Sequence, residues 1–301
     1  MAILTNADKA RLEIIKSHFN NTITQAGVGG IGIQEAVNAI KKVLEETITD
    51  LGEDGKSALI KSQQPIKMIH EAVKTSFIVN GVRPDLIKPK LGLSAGELKI
   101  AGFLKKKNQD ICIIPNNEIP TLEILTDGLL SGERDIYGHS LTEKILSINV
   151  RSQLSSLGNN IDTLYERTFA EAMNLHMRCK QMVLGEVYMI PVFEYNKHQA
   201  QINNVAWTTN QSPILTYIKA FSAINDRNSI LSDDYKYERV CLLVVDFSKP
   251  IPKIYNTDAE LKADNLIPQN STVSINNLNF PTFTSELLRV YSTRFGVGRF
   301  S

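Results

Sequence analysis

The 301-residue sequence has few cysteines, one tryptophan and no long apolar run. Its cysteines, Cys112, Cys179 and Cys241, are odd in number and widely spaced, which argues against a disulfide framework or a cysteine zinc site. The apolar runs are too short to span a bilayer, and the chain turns polar after four residues. We therefore expect neither membrane insertion nor secretion, and a reducing cytoplasm is the expected compartment.

The chain also lacks a large net charge of either sign. Its 33 Lys and Arg residues nearly balance 32 Asp and Glu residues, which leaves a formal charge of +1. Any contact with nucleic acid must therefore depend on local clusters of basic side chains. The composition, 43% hydrophobic and 22% charged, is typical of a globular protein, and the length is sufficient for one large domain or for a core with a smaller appendage.

Helical periodicity dominates the first 92 residues. Apolar residues recur three or four positions apart in three runs, the last of which covers Pro65 to Phe77. Pro84 and Pro89 then break the pattern. We predict a helical N-terminal region over residues 1–92 and a second part over residues 93–301.

A glycine-rich segment, AGVGGIGI, lies between the first two helical runs. Gly27, Gly29, Gly30 and Gly32 resemble a phosphate-binding loop, yet no strand precedes them and no Lys-Ser or Lys-Thr follows at P-loop spacing. We interpret the segment as a flexible interhelical loop. The alternative is a small-molecule enzyme whose nucleotide binding would disappear if Gly29 and Gly30 became bulky.

Beyond residue 92 the pattern changes to apolar, β-branched runs of strand length. These runs are DICIIP, ILSINVRSQL, MVLGEVYMIPVFEY and YERVCLLVVDF, and a long helical candidate, DTLYERTFAEAMNLHMRCK, separates the second from the third. Strands interleaved with a helix predict an α/β core. The tail from about residue 265 is rich in Asn, Ser, Thr and Pro, and we interpret it as loops with one short final element.

Three segments contribute polar side chains that could take part in catalysis or metal binding at this core. In ILSINVRSQ, Asn149 and Arg151 fall on the strand face opposite the apolar residues. Asp110 begins a strand directly after the lysines at 105–107, which is where an acidic metal ligand beside a phosphate-attracting patch would lie. Glu171 lies on a polar face of the long helix. We predict that these four side chains converge at one edge of the sheet.

This set of residues has the chemistry that phosphodiester hydrolysis needs. A hard cation polarises the phosphate and supplies a nucleophile, and Mg²⁺ binds carboxylate oxygens and waters. Asp110 and Glu171 are the candidate ligands, with Glu186 on another predicted strand as the alternative to Glu171. Arg151 would stabilise charge on the phosphate, but it cannot act as a base because a guanidinium keeps its proton.

At these residues the chain resembles type II restriction endonucleases of the PD-(D/E)XK nuclease superfamily, over roughly residues 95–195. AEAMNL, which contains Glu171, is similar to the TEALNL-like helix with a shifted catalytic Glu in the branch that reads CCGG-type sequences. NVRSQLSSLGNN followed by ERTFAEA is similar to a second pattern, a Glu-x-Lys-Ser-Gln strand and an Arg-Thr-x-Glu helix. In that pattern Asn149 stands at the acid position and Arg151 at the Lys position.

The chain departs from the family in these two residues and in having no Pro before Asp110. Glu97 and Lys99 form another acid–lysine pair, which precedes Asp110 whereas the family's pair follows it. Glu97 could still assist the site from a preceding helix.

The resemblance implies a restriction-endonuclease-like core, in which helices flank a central mixed β-sheet, joined to the helical N-terminal region. It implies Mg²⁺-dependent cleavage of both strands of double-stranded DNA at a short palindromic site by a homodimer or homotetramer. The candidate DNA-contacting residues are Gln153, Asn159, Asn160, Asp162 and Arg167. The rival reading is a DNA-binding or interaction module on a degenerate nuclease scaffold, in which Asn149 and Arg151 mark lost catalysis.

Overall fold

The computed structural model describes residues 4–93 and 95–301, except for the side chains of residues 159 and 160. The helices are α1 (Asn6–Gly29), α2 (Ile33–Lys61), α3 (Lys67–Val79), α4 (Gly138–Thr142), α5 (Leu157–His176), α6 (Lys197–Gln201), α7 (Ile214–Ala223), α8 (Asp258–Ala263) and α9 (Phe280–Phe295). The strands are β1 (Ile87–Lys88), β2 (Leu98–Ala101), β3 (Lys106–Gln109), β4 (Ile111–Ile113), β5 (Glu123–Ile124), β6 (Arg134–Asp135), β7 (Leu146–Ser152), β8 (Val183–Pro191), β9 (Arg239–Asp246) and β10 (Lys253–Tyr255).

The first three helices pack on one face of the central sheet. α1 begins with a capping box, in which Thr5 Oγ1 accepts from the Asp8 NH at 3.1 Å and Asp8 Oδ2 accepts from the Thr5 NH at 3.0 Å. Buried apolar residues three or four positions apart, such as Leu12 and Ile15, form the inner stripe of this helix. One apolar core joins the three helices to the strands. The predicted boundary near residue 92 stays a prediction.

The glycine-rich segment is helical over most of its length. α1 continues through Gly29, and the turn occupies only residues 30–32, with Gly30 at a φ of 76°. Gly27 contacts the chain at Gly92 so closely that a Cβ there would lie 1.9 Å from the Gly92 nitrogen. The predicted flexible loop was therefore wrong for Gly27 and Gly29, which are both helical, and at Gly27 the close packing of the helix requires glycine.

Six strands form the central sheet in the order β1-β4-β7-β8-β9-β10. β4 is antiparallel to both of its neighbours, β1 and β7, whereas β7, β8 and β9 are parallel and β10 returns antiparallel. α5 connects β7 to β8, as a parallel pair requires. The prediction of an α/β protein with a mixed sheet flanked by helices, preceded by N-terminal helices, is confirmed.

Alternate residues of the central strands enter two apolar cores on the two sheet faces. Ile148 and Val187 pack with α1 to α3 and α9, whereas Leu184 and Tyr188 pack with α5 and α7. Because both faces are covered, the polar residues of β7 that face α5 are also buried. The predicted polar row is thus an interior feature, open to solvent only toward the end of β7.

The final element is longer than the predicted short one. α9 spans 16 residues, and Asn279 Oδ1 accepts from the Thr282 NH at its start at 3.2 Å. Phe283, Leu287 and Tyr291 form its buried stripe, which the polar composition of the preceding tail obscured. Among the described residues, no helix has the length and apolar character needed to cross a membrane.

Candidate functional site

Asp110, Asn149 and Glu186 occupy one row across three neighbouring strands. Ile111 pairs with Ile148, so Asp110, one residue earlier, lies opposite Asn149, which pairs on its other side with Glu186. β4 begins only at Ile111, and the Val150 NH donates to Asp110 Oδ2 at 2.8 Å. The strand register therefore brings together groups that are far apart in the chain.

Glu186 is buried without adequate partners. It is 0% exposed, and within the described residues neither carboxylate oxygen accepts a hydrogen bond of normal distance and angle. Burial raises the pKa of Glu186 to about 8, and the charge of Asp110 acts in the same direction. Arg151, whose Nε lies 3.5 Å from Oε1, and the side chains of Asn149 and Tyr237 act in the opposite direction. The Oδ1 atom of Asn149 likewise lacks a partner in the described part. Three buried oxygen acceptors thus lie side by side.

Glu171 differs from Glu186 in that both of its oxygens are occupied. One pairs with Lys107 and the other with Arg151, whose Nη1 also donates to Thr168 Oγ1 at 3.1 Å. Desolvation works against the charge of Arg151, yet the acids around it raise the pKa of its guanidinium. The predicted meeting of Arg151 and Glu171 is therefore an ion pair.

The lysine run lies on a hairpin of β2 and β3 that α5 holds in position. Asn174 Oδ1 accepts from the backbone NH groups of Leu104 at 2.7 Å and Lys105 at 3.1 Å, and its Nδ2 donates to the Lys105 carbonyl at 3.2 Å. The hairpin then directs Lys107 to Glu171. A satisfied side-chain amide on a helix thus fixes the position of three basic residues.

A groove of about 970 Å³ lies between α3, the β2–β3 hairpin, the end of β7 and α5, and its lining includes Asp110, Arg151 and Glu171. Asn149 and Glu186 are buried and are not among the lining residues. The basic residues of the groove outnumber its acidic residues, six to three: Lys61, Lys67, Lys105, Lys107, Arg151 and Arg167 against Glu97, Asp110 and Glu171. Of the six, only Lys107 and Arg151 form ion pairs with other described residues. A chain with almost no net charge therefore has a locally positive groove.

Glu97 reaches this groove from an irregular segment, so its predicted position on a helix was wrong. It lies directly before β2. Burial, and then the charge of Asp110, raise the pKa of the Glu97 carboxyl. Lys99, its partner in the alternative acid–lysine pair, is exposed on β2 and does not line the groove.

Sequence reasoning missed His70, which α3 contributes to the groove. Its Nε2 is buried and has no hydrogen-bond partner among the described residues. Burial lowers the pKa of His70 to about 4 although Asp110 favours the charged form, so the ring is neutral near pH 7. No motif marks His70, Lys61 or Lys67, because only packing of the N-terminal helices on the sheet brings them to Asp110.

Gln153 is already engaged in the protein interior. Its Oε1 accepts from the hydroxyls of Tyr188 at 3.2 Å and Tyr217 at 3.0 Å, and its Nε2 donates to the Ser156 carbonyl at 3.0 Å. A base contact by Gln153 would require these hydrogen bonds to break. Its evident role is to connect the end of β7 to α7.

The other predicted DNA-contacting residues belong to α5. Arg167 is exposed and lines the groove, and Asp162 is exposed one to two turns earlier on the helix. The side chains of Asn159 and Asn160 lie outside the described part of the chain. Arg167 is thus the predicted contact residue that faces the groove.

The donor set at the row suits a hard cation. Asp110 and Glu186 offer carboxylates and Asn149 an amide oxygen, which are ligand types that Mg²⁺ accepts. Over residues 4–93 and 95–301, no group of three or more His, Cys, Asp and Glu side chains is arranged to hold a metal ion. A cation here would depend on fewer carboxylates and on water, as Mg²⁺ usually does.

Comparison of the chain with protein-family models, with curated proteins and with solved structures gave no match. The function therefore has to be argued from the fold and from the chemistry of the groove.

Proposed function

We propose that this protein is a Mg²⁺-dependent endonuclease that cleaves double-stranded DNA at a short palindromic site. The observation that carries the proposal is Asp110, which shares a row with Asn149 and Glu186 and which lines, together with Arg151, a groove rich in basic side chains. Carboxylates for a cation and cations for a phosphate are the two requirements of phosphodiester hydrolysis.

The order of elements supports a restriction-endonuclease-like core. The strand that follows Asp110 pairs with the strand that carries Asn149 and Arg151, and the helix bearing Glu171 comes next. This is the order of acid, acid–lysine strand and shifted-Glu helix that the family resemblance implies. The mixed sheet flanked by helices is consistent with it.

The acidic and basic residues would have different roles: the acids would hold the cation, and the basic residues would contact the phosphate. Bound Mg²⁺ would polarise the phosphate and lower the pKa of the attacking water. Asp110 would hold the ion with a second carboxylate, for which Glu171 and Glu186 are the candidates. Arg151 would stabilise charge that develops on the phosphate oxygens.

The remaining basic residues of the groove would contact DNA. Lys61, Lys67, Lys105 and Arg167 would bind backbone phosphates, with Arg167 also able to reach a base edge. A homodimer or homotetramer would present two such grooves to a two-fold symmetric site and cut one strand with each.

The test is to incubate the purified protein with phage-length DNA in Mg²⁺ and in EDTA and to separate the products by electrophoresis. We expect discrete fragments with Mg²⁺ alone. Asp110→Ala should abolish cleavage but retain DNA binding, measured in Ca²⁺, whereas Glu166→Gln, an exposed change on α5, should cut normally. Intact DNA in both lanes contradicts the proposal, and full activity of Asp110→Ala removes Asp110 from the site.

A DNA-binding module on a degenerate nuclease scaffold is the second candidate. The observation in its favour is that Lys107 and Arg151 neutralise Glu171, while Asn149 stands where the family has an acid. This candidate predicts DNA binding in the groove, no cleavage with Mg²⁺ or Mn²⁺, and no binding of divalent cations in the absence of DNA.

A further inference from the structure

We infer that the second acidic ligand of the cation is Glu186 on β8, assisted by the amide oxygen of Asn149, and that Glu171 acts as a positioning residue for Lys107 and Arg151. The inference rests on the proposed function, because it assigns the ligands of the same site. The carboxylate that position 149 lacks would then come from Glu186, which is paired with Asn149 on the neighbouring strand.

Both carboxylate oxygens of Glu171 are already paired. Its two carboxylate oxygens pair with two different cations, and the side chain is 8% exposed. To bind a metal ion, Glu171 would have to release at least one partner and leave a poorly hydrated cation behind. One of these partners, Arg151, is the group that would stabilise charge on the phosphate.

The carboxylate oxygens of Glu186 and the amide oxygen of Asn149 have no hydrogen bond of normal distance and angle among the described residues, although the side chains of Asn149 and Tyr237 lie beside Glu186. Buried polar atoms in folded proteins nearly always have partners, and those that lack one indicate an absent water or ion or a functional role. Three such oxygens, Oε1 and Oε2 of Glu186 and Oδ1 of Asn149, are adjacent at paired positions. Arg151 lies next to Glu186 at 3.5 Å, but it makes no hydrogen bond with this carboxylate.

The spacing of the strands is compatible with a shared ion. Neighbouring strands lie about 4.8 Å apart, so Asp110 and Glu186 are separated by roughly 10 Å of backbone with Asn149 between them. Asp and Glu side chains can meet at a common ion across that distance. The amide oxygen of Asn149 would then face the same ion from the middle strand.

The experiment is a titration of the full-length protein with Mn²⁺, without DNA, in which electron paramagnetic resonance measures the free ion. We expect Glu186→Gln to weaken Mn²⁺ binding by at least about tenfold, since it removes a charged ligand without changing the side-chain shape. Glu171→Gln should retain Mn²⁺ binding, because it removes no ligand of the ion. Asn149→Asp should bind Mn²⁺ more tightly, because it adds a carboxylate at the centre of the row.

Circular dichroism and thermal unfolding check that each variant is folded. If Glu186→Gln does not fold, Glu171→Gln and Asn149→Asp still decide between the two ligand sets. The inference is overturned if Glu171→Gln loses Mn²⁺ binding and either Glu186→Gln retains it or Asn149→Asp binds Mn²⁺ no more tightly than the wild type. The proposed nuclease function would still stand. Failure of the wild type to bind Mn²⁺ also overturns the inference, and the DNA cleavage assay then judges the proposed function separately.

Discussion

At the residue scale, two fully buried carboxyl groups show how partners decide ionisation. Burial disfavours the charge of both Glu186 and Glu238, yet the pKa of Glu238 falls to about 2 while that of Glu186 rises to about 8. Glu238 accepts from the Leu184 NH at 2.7 Å and pairs with Arg294 at 2.7 Å, with His176 nearby. A buried acid with several donors is structural, whereas one without them is available for binding.

Glu238→Gln should lower the free energy of unfolding at pH 7 by about 3 kcal/mol, because it leaves buried cations without their counter-charge. An acid whose pKa is lower in the folded state stabilises the fold above its ordinary pKa of 4.5, and this contribution is lost as the pH falls toward about 2. Urea unfolding between pH 2 and pH 7 measures both effects. The wild type should therefore lose more stability on acidification than Glu238→Gln.

Glu286→Gln is the matched control for this prediction. Glu286 also pairs with arginines, Arg239 and Arg289, but its side chain is 36% exposed, so its removal should cost less than about 1 kcal/mol. Equal pH dependence in the wild type and Glu238→Gln would show that Glu238 does not supply the acid-sensitive term.

Substitutions of Arg151 test whether a positive charge is sufficient for the proposed cleavage or whether the guanidinium geometry is also needed. Arg151→Lys keeps the charge and should cut DNA within about tenfold of the wild-type rate, whereas Arg151→Ala should lose about a hundredfold. Single-turnover cleavage with saturating protein measures the rates. A wild-type rate for Arg151→Ala would exclude Arg151 from the reaction.

At the element scale, the position of α1 depends on its contact with the turn at residues 91–92. Gly27 contacts Gly92 without room for a side chain, and the Gly92 NH donates to Glu71 Oε2 on α3 at 2.8 Å. Glu71 in turn pairs with Lys74, and both side chains are at most 2% exposed. The N-terminal helices are thus fixed to the chain that leads into the β2–β3 hairpin of the groove.

Gly27→Ala should destabilise the protein by at least about 2 kcal/mol, since its Cβ would meet backbone atoms that cannot give way. Gly29→Ala, two residues later in the same helix, meets nothing within 4 Å and should be neutral or stabilising by up to about 1 kcal/mol. Thermal unfolding compares the pair. Equal stability of the two variants would show that α1 does not depend on this contact.

At the scale of the whole molecule, charge is distributed unevenly. The formal charge is +1, yet the groove has a surplus of three basic side chains over its acids. Lys61, Lys67, Lys105 and Arg167 come from four different places in the chain and form no ion pairs with other described residues. Such a groove attracts a polyanion in spite of the nearly neutral total.

Replacing Lys61 and Lys67 by alanine should weaken DNA binding and reduce its dependence on salt. Each lysine that contacts a phosphate contributes about 0.9 to the slope of log K against log salt concentration, so the double variant should lose roughly 2. Fluorescence anisotropy at several salt concentrations measures this slope. Lys42→Ala, an exposed change on α2 outside the groove, should leave it unchanged, and an equal effect there would argue against the groove as the DNA site.

Local periodicity was sufficient to predict most of the elements. The alternation in ILSINVRSQ predicts β7, and the apolar spacing of the N-terminal runs predicts α1 to α3, because a strand or helix buries one side of its own sequence. The same reasoning identified Asp110, Asn149, Arg151 and Glu171 as residues that meet. It failed at α9 and at Gly27, where polar or glycine-rich composition concealed a packed helix.

The sequence by itself thus determined the α/β class, the main elements and the candidate residues, since these depend on neighbours three or four positions away. Only the tertiary structure decided which of those residues have partners. It paired Glu171 with Lys107 and Arg151, left Glu186 buried without hydrogen bonds, and brought His70 to Asp110. Strand register and helix packing connect distant parts of the chain, and no local pattern specifies which charges they bring together.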